Sequence, residues 1–402
     1  MYKRSQSATD QNIMGSGSGS VVIVRSEMEA VQTVPPLEIT APRKVRQIVM
    51  SSAAGAMGEY VRGWGGCVHT VLYYNKKPLA EEEEDSGSLH AGWIKESLAI
   101  ALSQQPLFSG RLQKLDDVNY GIVANDAGVR LIEARLPVTM SEFLLDLDRA
   151  CGSTRREAEA QLVFWRDVDQ TDPQFCPLFY VQVTKFACGG YSFGISCSLF
   201  LVDILFKENF LRKWADIHKN MVTKERPLFY LPNIKYTPAS NITDVISSSA
   251  SQDNSADDQT IIFNVKYSNE DNPPITDNTI ALLCVEKAET KLGTKMALEY
   301  FSFSYVKESN NDNNMVMKLE KCSSKYDLAT NKKNLSFKDQ VASWDDFGTN
   351  ELEFRKGNLP LRVSNWIGSV SKGFIMAIPY YFDNHENVSG LKVIVKMDSI
   401  NK

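Results

Sequence analysis

Residues 177–221 constrain the fold more than any other stretch of the chain: PLFYVQVTKFACGGYSFGISCSLFLVDILFKENFLRKWADIHKNM. Apolar and polar side chains alternate over 178–186, the period of a half-buried strand. Gly189 and Gly190 supply the backbone freedom of a tight hairpin turn, and 191–197 reads as the returning strand. At Asp203 the period changes. Phe206, Phe210, Trp214, Ile217 and Met221 recur every third or fourth residue, so one apolar face runs down a helix. Asp203 stands at or near the first turn, where a carboxylate can accept backbone N–H groups and complement the helix dipole. Two paired strands therefore feed a helix, and the junction at 197–203 is where a site would be held most rigidly.

The 402 residues suffice for two domains of ordinary size, and a hydrophobic content of 43% permits substantial cores. A net charge of −5 gives no global electrostatic reason to expect nucleic acid. No apolar run approaches the length of a membrane span, and the first residues carry no apolar signal core, so a cytoplasmic protein without a membrane span is expected. Seven cysteines, odd in number and without a C-x-x-C pair, favour reduced thiols over a disulfide or zinc framework. No pair of histidines has metal-ligand spacing, so no metal site is expected.

Residues 1–20 end in Gly-Ser-Gly-Ser-Gly-Ser and read as a flexible tail. Strands are expected over 21–25 and 68–74, and the acidic run at 81–85 reads as a solvated loop. An amphipathic helix over 91–104 ends at Pro106; Gly110 then turns the chain and Arg111 anchors the next strand. Residues 120–124 and 128–134 read as a hairpin around Asn125-Asp126, with a short helix over 138–151 behind it. Residues 239–260 are rich in Ser, Asn and Asp and nearly free of large apolar side chains, which suits a crossover between domains. Past it come strands at 261–267, 300–306 and 391–397, a helix over 278–298, and a strand pair within 363–381. The expected organisation is α/β: an N-terminal domain over 21–238, the linker 239–260, and a C-terminal domain over 261–402.

Three segments, in this order, resemble one family. The first is the helix leading into Pro106-Leu107-Phe108-Ser109-Gly110-Arg111-Leu112. The second is Gly194-Ile195-Ser196-Cys197-Ser198, then Asp203, then Trp214-Ala215-Asp216-Ile217. The third is Asp346-Phe347-Gly348. Together they are similar to the BAHD acyltransferases, plant enzymes that move an acyl group from coenzyme A to an alcohol or amine. The family's second segment carries His-x-x-x-Asp, usually followed by Gly. Here Leu199 stands at the His and Ile204 at the Gly, while Asp203 is kept. The third segment is Asp-Phe-Gly-Trp-Gly in the family, a structural loop, and Thr349 and Asn350 replace its last two residues. The C-terminal part is also shorter than the family usually has.

The resemblance implies a chloramphenicol-acetyltransferase-like fold. Two similarly built domains, each a mixed sheet with flanking helices, would enclose a channel. It also implies a soluble monomer with acyl-CoA as co-substrate and a small-molecule acceptor. The family's motif His accepts the acceptor's proton, and a Leu side chain cannot. Asp203 then has two readings: a framework carboxylate that pins the loop through an Arg, as the resemblance implies, or a base that swings inward. Cys197 and Ser198 flank the gap, and each would need a base of its own to act. His69 follows a Gly-Gly-Cys turn with nothing local to orient it. His218 reads as a surface residue near a helix end, and His90 and His385 fall in polar loops. Two functions follow: an acyltransferase of weakened or altered chemistry, or a non-catalytic member that holds an acyl chain or a partner. The second is the pattern of the family's eceriferum-type wax proteins, whose partners would be fatty-acid elongation enzymes.

Overall fold

The structure is a computed structural model that describes residues 25–50, 66–76, 87–116, 119–169, 171–221, 259–266, 277–296, 300–307, 315–322, 338–368, 370, 373–380 and 390–397. The tail 1–20, the acidic run at 81–85 and nearly all of the linker 239–260 lie outside these residues. The strands of the first half are β1 (Glu27–Val34), β2 (Val45–Met50), β3 (Cys67–Tyr74), β4 (Arg111–Lys114), β5 (Tyr120–Val123), β6 (Val129–Leu136), β7 (Phe179–Phe186) and β8 (Tyr191–Ser198). Those of the second are β9 (Thr260–Lys266), β10 (Tyr300–Lys307), β11 (Met315–Cys322), β12 (Lys338–Ala342), β13 (Arg362–Gly368), β14 (Phe374–Tyr380) and β15 (Gly390–Lys396). The helices are α1 (Gly87–Gln104), α2 (Met140–Arg149), α3 (Gly152–Ala160), α4 (Val202–Lys207), α5 (Phe210–Met221) and α6 (Asp277–Leu292).

The strands form two mixed sheets, ordered β1-β6-β7-β8-β3-β13 and β12-β9-β15-β14-β10-β11-β2-β5-β4. The α/β architecture of two sheets with flanking helices is therefore as the sequence suggests. Strand membership, however, does not follow chain order. β2, β4 and β5 come before the linker yet extend the second sheet, and β13 comes after it yet completes the first.

One expected hairpin and one expected strand pair fail for the same reason. β5 pairs with β2 and β4 while β6 pairs with β1 and β7, so residues 124–128 carry the chain from one sheet to the other. Asp126 (φ 57°) and Gly128 (φ 78°) make that exit in left-handed conformations, which short polar residues and glycine tolerate. Arg111 closes the corner: its guanidinium donates to the Gly110 carbonyl at 2.8 Å and the Ala127 carbonyl at 3.2 Å. Likewise β13 pairs with β3 and β14 with β10 and β15, not with each other. Alternating side chains announce a strand but not its neighbour. The β7–β8 hairpin does form, with Gly189 at φ 80°.

The helix expected to run from Asp203 to Met221 is broken. Asn209 takes φ 51° between α4 and α5, a conformation that ends the helical hydrogen-bond ladder. Each side of the first sheet is buried by a different set of residues. Val68, Leu72, Phe193 and Ile195 share a core with α1, α5 and the inner face of the second sheet, including Phe303, Met317 and Ile378. Val71, Tyr73 and Trp366 instead pack with Met140, Phe143 and Leu147 of α2. The outer face of the second sheet is covered by Cys284, Val285 and Ala288 of α6. Among the described residues no helix is long and apolar enough to cross a membrane.

Candidate functional site

Strand β8 ends at Ser198, and a 3-10 turn at Leu199–Leu201 leads into α4. Ser198 caps that turn: its hydroxyl accepts the Phe200 N–H at 3.4 Å. Leu199 donates its backbone N–H to the Gly66 carbonyl at 3.1 Å and is 3% exposed. The approach is close: a Cβ on Gly66 would stand 2.5 Å from Leu199 Cδ1, so the Leu199 side chain would have to shift. The hydrocarbon thus lies flat on the start of β3, within the core shared by both sheets.

Asp203 sits in the first turn of α4, but it does not cap the helix. Its carboxylate is gripped by Arg46 of β2 in a fork, Nη1 to Oδ1 at 2.8 Å and Nη2 to Oδ2 at 2.7 Å, with both side chains buried. The Arg46 guanidinium also lies 5.1 Å from the centre of the Tyr305 ring of β10. Burial alone would lower the Arg46 pKa, but the charge and hydrogen bonds of Asp203 carry it above its ordinary value. Burial, then the Asp203 charge, pushes the Tyr305 hydroxyl well up. One carboxylate therefore ties the helix after β8 to two strands of the second sheet. Both of its oxygens are engaged, so an inward swing to act as a base would break a buried ion pair.

Cys197 is buried, and burial followed by the Asp203 charge raises its thiol pKa well above the ordinary value. It rests as a thiol, not a thiolate nucleophile.

The structure does orient His69, but away from Leu199. The β3–β8 register sets His69 opposite Ser196, whose hydroxyl lies 2.8 Å from Nδ1. Nε2 lies 3.1 Å from Cys67 Sγ, and the ring packs at 4.9 Å on Trp366. Trp366 belongs to the α2 side of the sheet, whereas Leu199 belongs to the other. Burial, helped by Arg156, lowers the His69 pKa to about 3, so the imidazole is neutral.

His218, expected at the surface, is 3% exposed. Its Nδ1 lies 3.0 Å from Ser97 Oγ, which also accepts the Trp214 indole N–H at 3.0 Å. One helical turn separates Trp214 from His218, so both reach α1 from the same face of α5. His90 falls in the first turn of α1 instead of a loop, and His385 lies outside the described residues. Among the described residues no group of three His, Cys, Asp or Glu side chains could hold a metal.

Asp346 and Phe347 close a 3-10 turn at Trp344–Phe347, and Gly348 ends it at φ 72°. The Asp346 carboxylate accepts the Ser343 N–H at 3.0 Å. Phe347 packs on Phe206 of α4 with ring centres 4.1 Å apart. The turn thus braces the helix that carries Asp203. Arg46 and Tyr305, beside Asp203, and Lys392 of β15, whose amine donates to the Asp346 carbonyl, escaped the sequence reading. Each is a single residue on a strand, with no local motif to mark it.

A family model described as the transferase family matches residues 65–302, more than half of the chain. Protein ECERIFERUM 26-like of Arabidopsis thaliana is 30% identical over 122 residues, 30% of this chain and 27% of that protein. Taxadien-5-alpha-ol O-acetyltransferase of Taxus chinensis is 30% identical over 159 residues, 39% of this chain and 34% of that protein. The chain spans about a third of the length of the curated relatives it matches. The crystal structure of vinorine synthase aligns over 93% of this chain and 95% of its own, at 14% identity and a TM-score of 0.44.

Proposed function

This chain belongs to the transferase family of BAHD acyltransferases, and from that premise we propose that it transfers an acyl group from acyl-CoA to a hydroxyl or amine, slowly, at a centre without its proton acceptor. The observation that carries this reading is the pairing of a retained framework with a lost base. Asp203 keeps its fork to Arg46, so the junction after β8 is held, while Leu199 occupies the position from which a His would act.

The chemistry follows from that pairing. An alcohol attacks a thioester poorly until its proton is taken. A positioned base contributes about 10²–10⁴-fold to such a step, and that factor is absent here. Positioning of donor and acceptor can still supply residual turnover. The same reading takes the protein as a cytoplasmic monomer with acyl-CoA as co-substrate.

Two measurements test it. Acyl-CoAs of graded chain length should raise the melting temperature, since a ligand bound only to the native state stabilises it. Release of the coenzyme A thiol in the presence of alcohols or amines should be slow in the wild type and rise by about 10²–10⁴-fold in Leu199→His. No melting shift with any acyl-CoA would remove the proposal. Binding without turnover in either form would point instead to a protein that only holds the acyl chain, as a modifier of fatty-acid elongation would.

A further inference from the structure

Lys392 of β15 is only 2% exposed, although its side chain ends in an amine. Its register partners are Ile378 of β14 and Asn264 of β9. Ile378 belongs to the core that also holds Leu199 and Phe206, so Lys392 faces the first sheet. The amine donates to the Asp346 carbonyl at 2.5 Å. It also stands 4.1 Å from the centre of the Tyr380 ring and 4.4 Å from that of Phe347. A carbonyl and two aromatic faces form a cage that partly replaces water around the cation. Phe347 in turn packs on Phe206, three residues after Asp203 on α4. A continuous run of contacts therefore leads from the second sheet, through the Asp346-Phe347 turn, to the helix that fixes position 199.

We propose that Lys392 is a positioning residue for the 199–203 segment: by holding the Asp346 carbonyl and the Phe347 ring against α4, its amine sets where that segment lies. The inference rests on the reading above only in taking this segment as the reaction centre. Among the described residues the groups facing the amine are few. Asp346 carries the charge nearest to it, and Tyr380 is the titratable residue from β14. Asn264 on β9 and Phe206 on α4 bring no charge.

Burial lowers the Lys392 pKa to about 8 from an ordinary 10.5, with Asp346 opposing the shift. The sign of the pH effect follows. When the cage opens, the amine meets water and regains its ordinary affinity for a proton. Between about pH 8 and 10.5 opening must therefore take up a proton, and it becomes rarer as pH rises. Below that window the amine is charged in both states, and opening does not depend on pH through this group.

Hydrogen exchange, corrected for its intrinsic pH dependence, tests this on 344–348 and 202–207, with 140–149 as a control away from the cage. In the wild type, protection of the first two segments should rise above about pH 8 by up to tenfold per pH unit, and that of the control should not follow. Lys392→Met keeps the length of the side chain but loses the donor. It should lose the rise, so that toward the top of that window, where the caged amine is neutral and only its donor is missed, it exchanges both segments faster than the wild type. A flat wild-type profile, or a Met variant as protected as the wild type at the top of the window, overturns the proposal. If the variant does not fold, the wild-type profile decides alone. Neither arm contains acyl-CoA, so a failure here leaves the acyl-transfer reading standing, and that reading fails on its own binding and turnover measurements.

Discussion

A carboxylate and a guanidinium buried together are costly to bring out of water and costlier to separate. Removing one partner leaves the other charged in an apolar core. Asp203→Ala should therefore lose about 3–5 kcal/mol of stability by denaturant titration, well beyond a surface ion pair such as Arg135 with Glu27. His69 makes the opposite kind of demand, since its site favours the neutral ring. Its folded pKa lies near 3 against an ordinary 6.5, so below 6.5 the unfolded chain binds a proton that the folded chain does not. Stability should fall as pH drops through that window, by up to about 1.4 kcal/mol per pH unit from this group. His69→Asn should show a shallower decline in melting temperature between the same limits. Position 199 is different again: nothing there titrates, and on the function proposed above the residue matters for the proton it cannot accept.

Among elements, the joints are more informative than the spans. The break between α4 and α5 depends on Asn209 at φ 51°. Asn209→Val puts a β-branched side chain in the left-handed region and should cost about 1–2 kcal/mol, while Asn209→Gly should be close to neutral by the same titration. Strand β8 packs under the segment after α3 more closely than any side chain allows. A Cβ on Gly194 would lie 1.7 Å from the Leu162 carbonyl oxygen, a backbone atom that cannot turn aside. Gly194→Ala should therefore lower the melting temperature more than an equally conservative change at exposed Gly152, even though Gly152 has the positive φ. Strands β3, β5 to β10 and β13 to β15, the β7–β8 hairpin and the apolar face of α5 could be read directly from residue alternation and three-to-four spacing, because those periods are properties of a local backbone, whereas β1, β2, β11 and β12 were not read. The helix break could not be read, since Asn209 lies between two stretches that share one period.

For the whole molecule the decisive fact is that the two sheets exchange strands across the chain. β13 covers the β3 edge of the first sheet, and β2, β5 and β4 extend the second. A fragment of residues 25–221 should leave β3 unpaired on one side and strand β2, β4 and β5 without their sheet. It is expected to show no cooperative melting transition, whereas the whole chain should unfold with both sheets coupled through the core they share. A separately folding fragment with native circular dichroism would contradict that. The residues alone determined the α/β class, the hairpin-to-helix frame, the family resemblance and the absence of an imidazole at position 199. Each of these is local or resides in one side chain. Only the tertiary structure decided that Arg46 and Tyr305 hold Asp203, that His69 turns to the far face, that His218 is buried on α1, and that Lys392 reaches the turn behind α4. The Arg46–Asp203 pair alone joins residues 157 positions apart. Which strand lies beside which is set by the packing of faces that every amphipathic strand offers alike, and no local period encodes that choice.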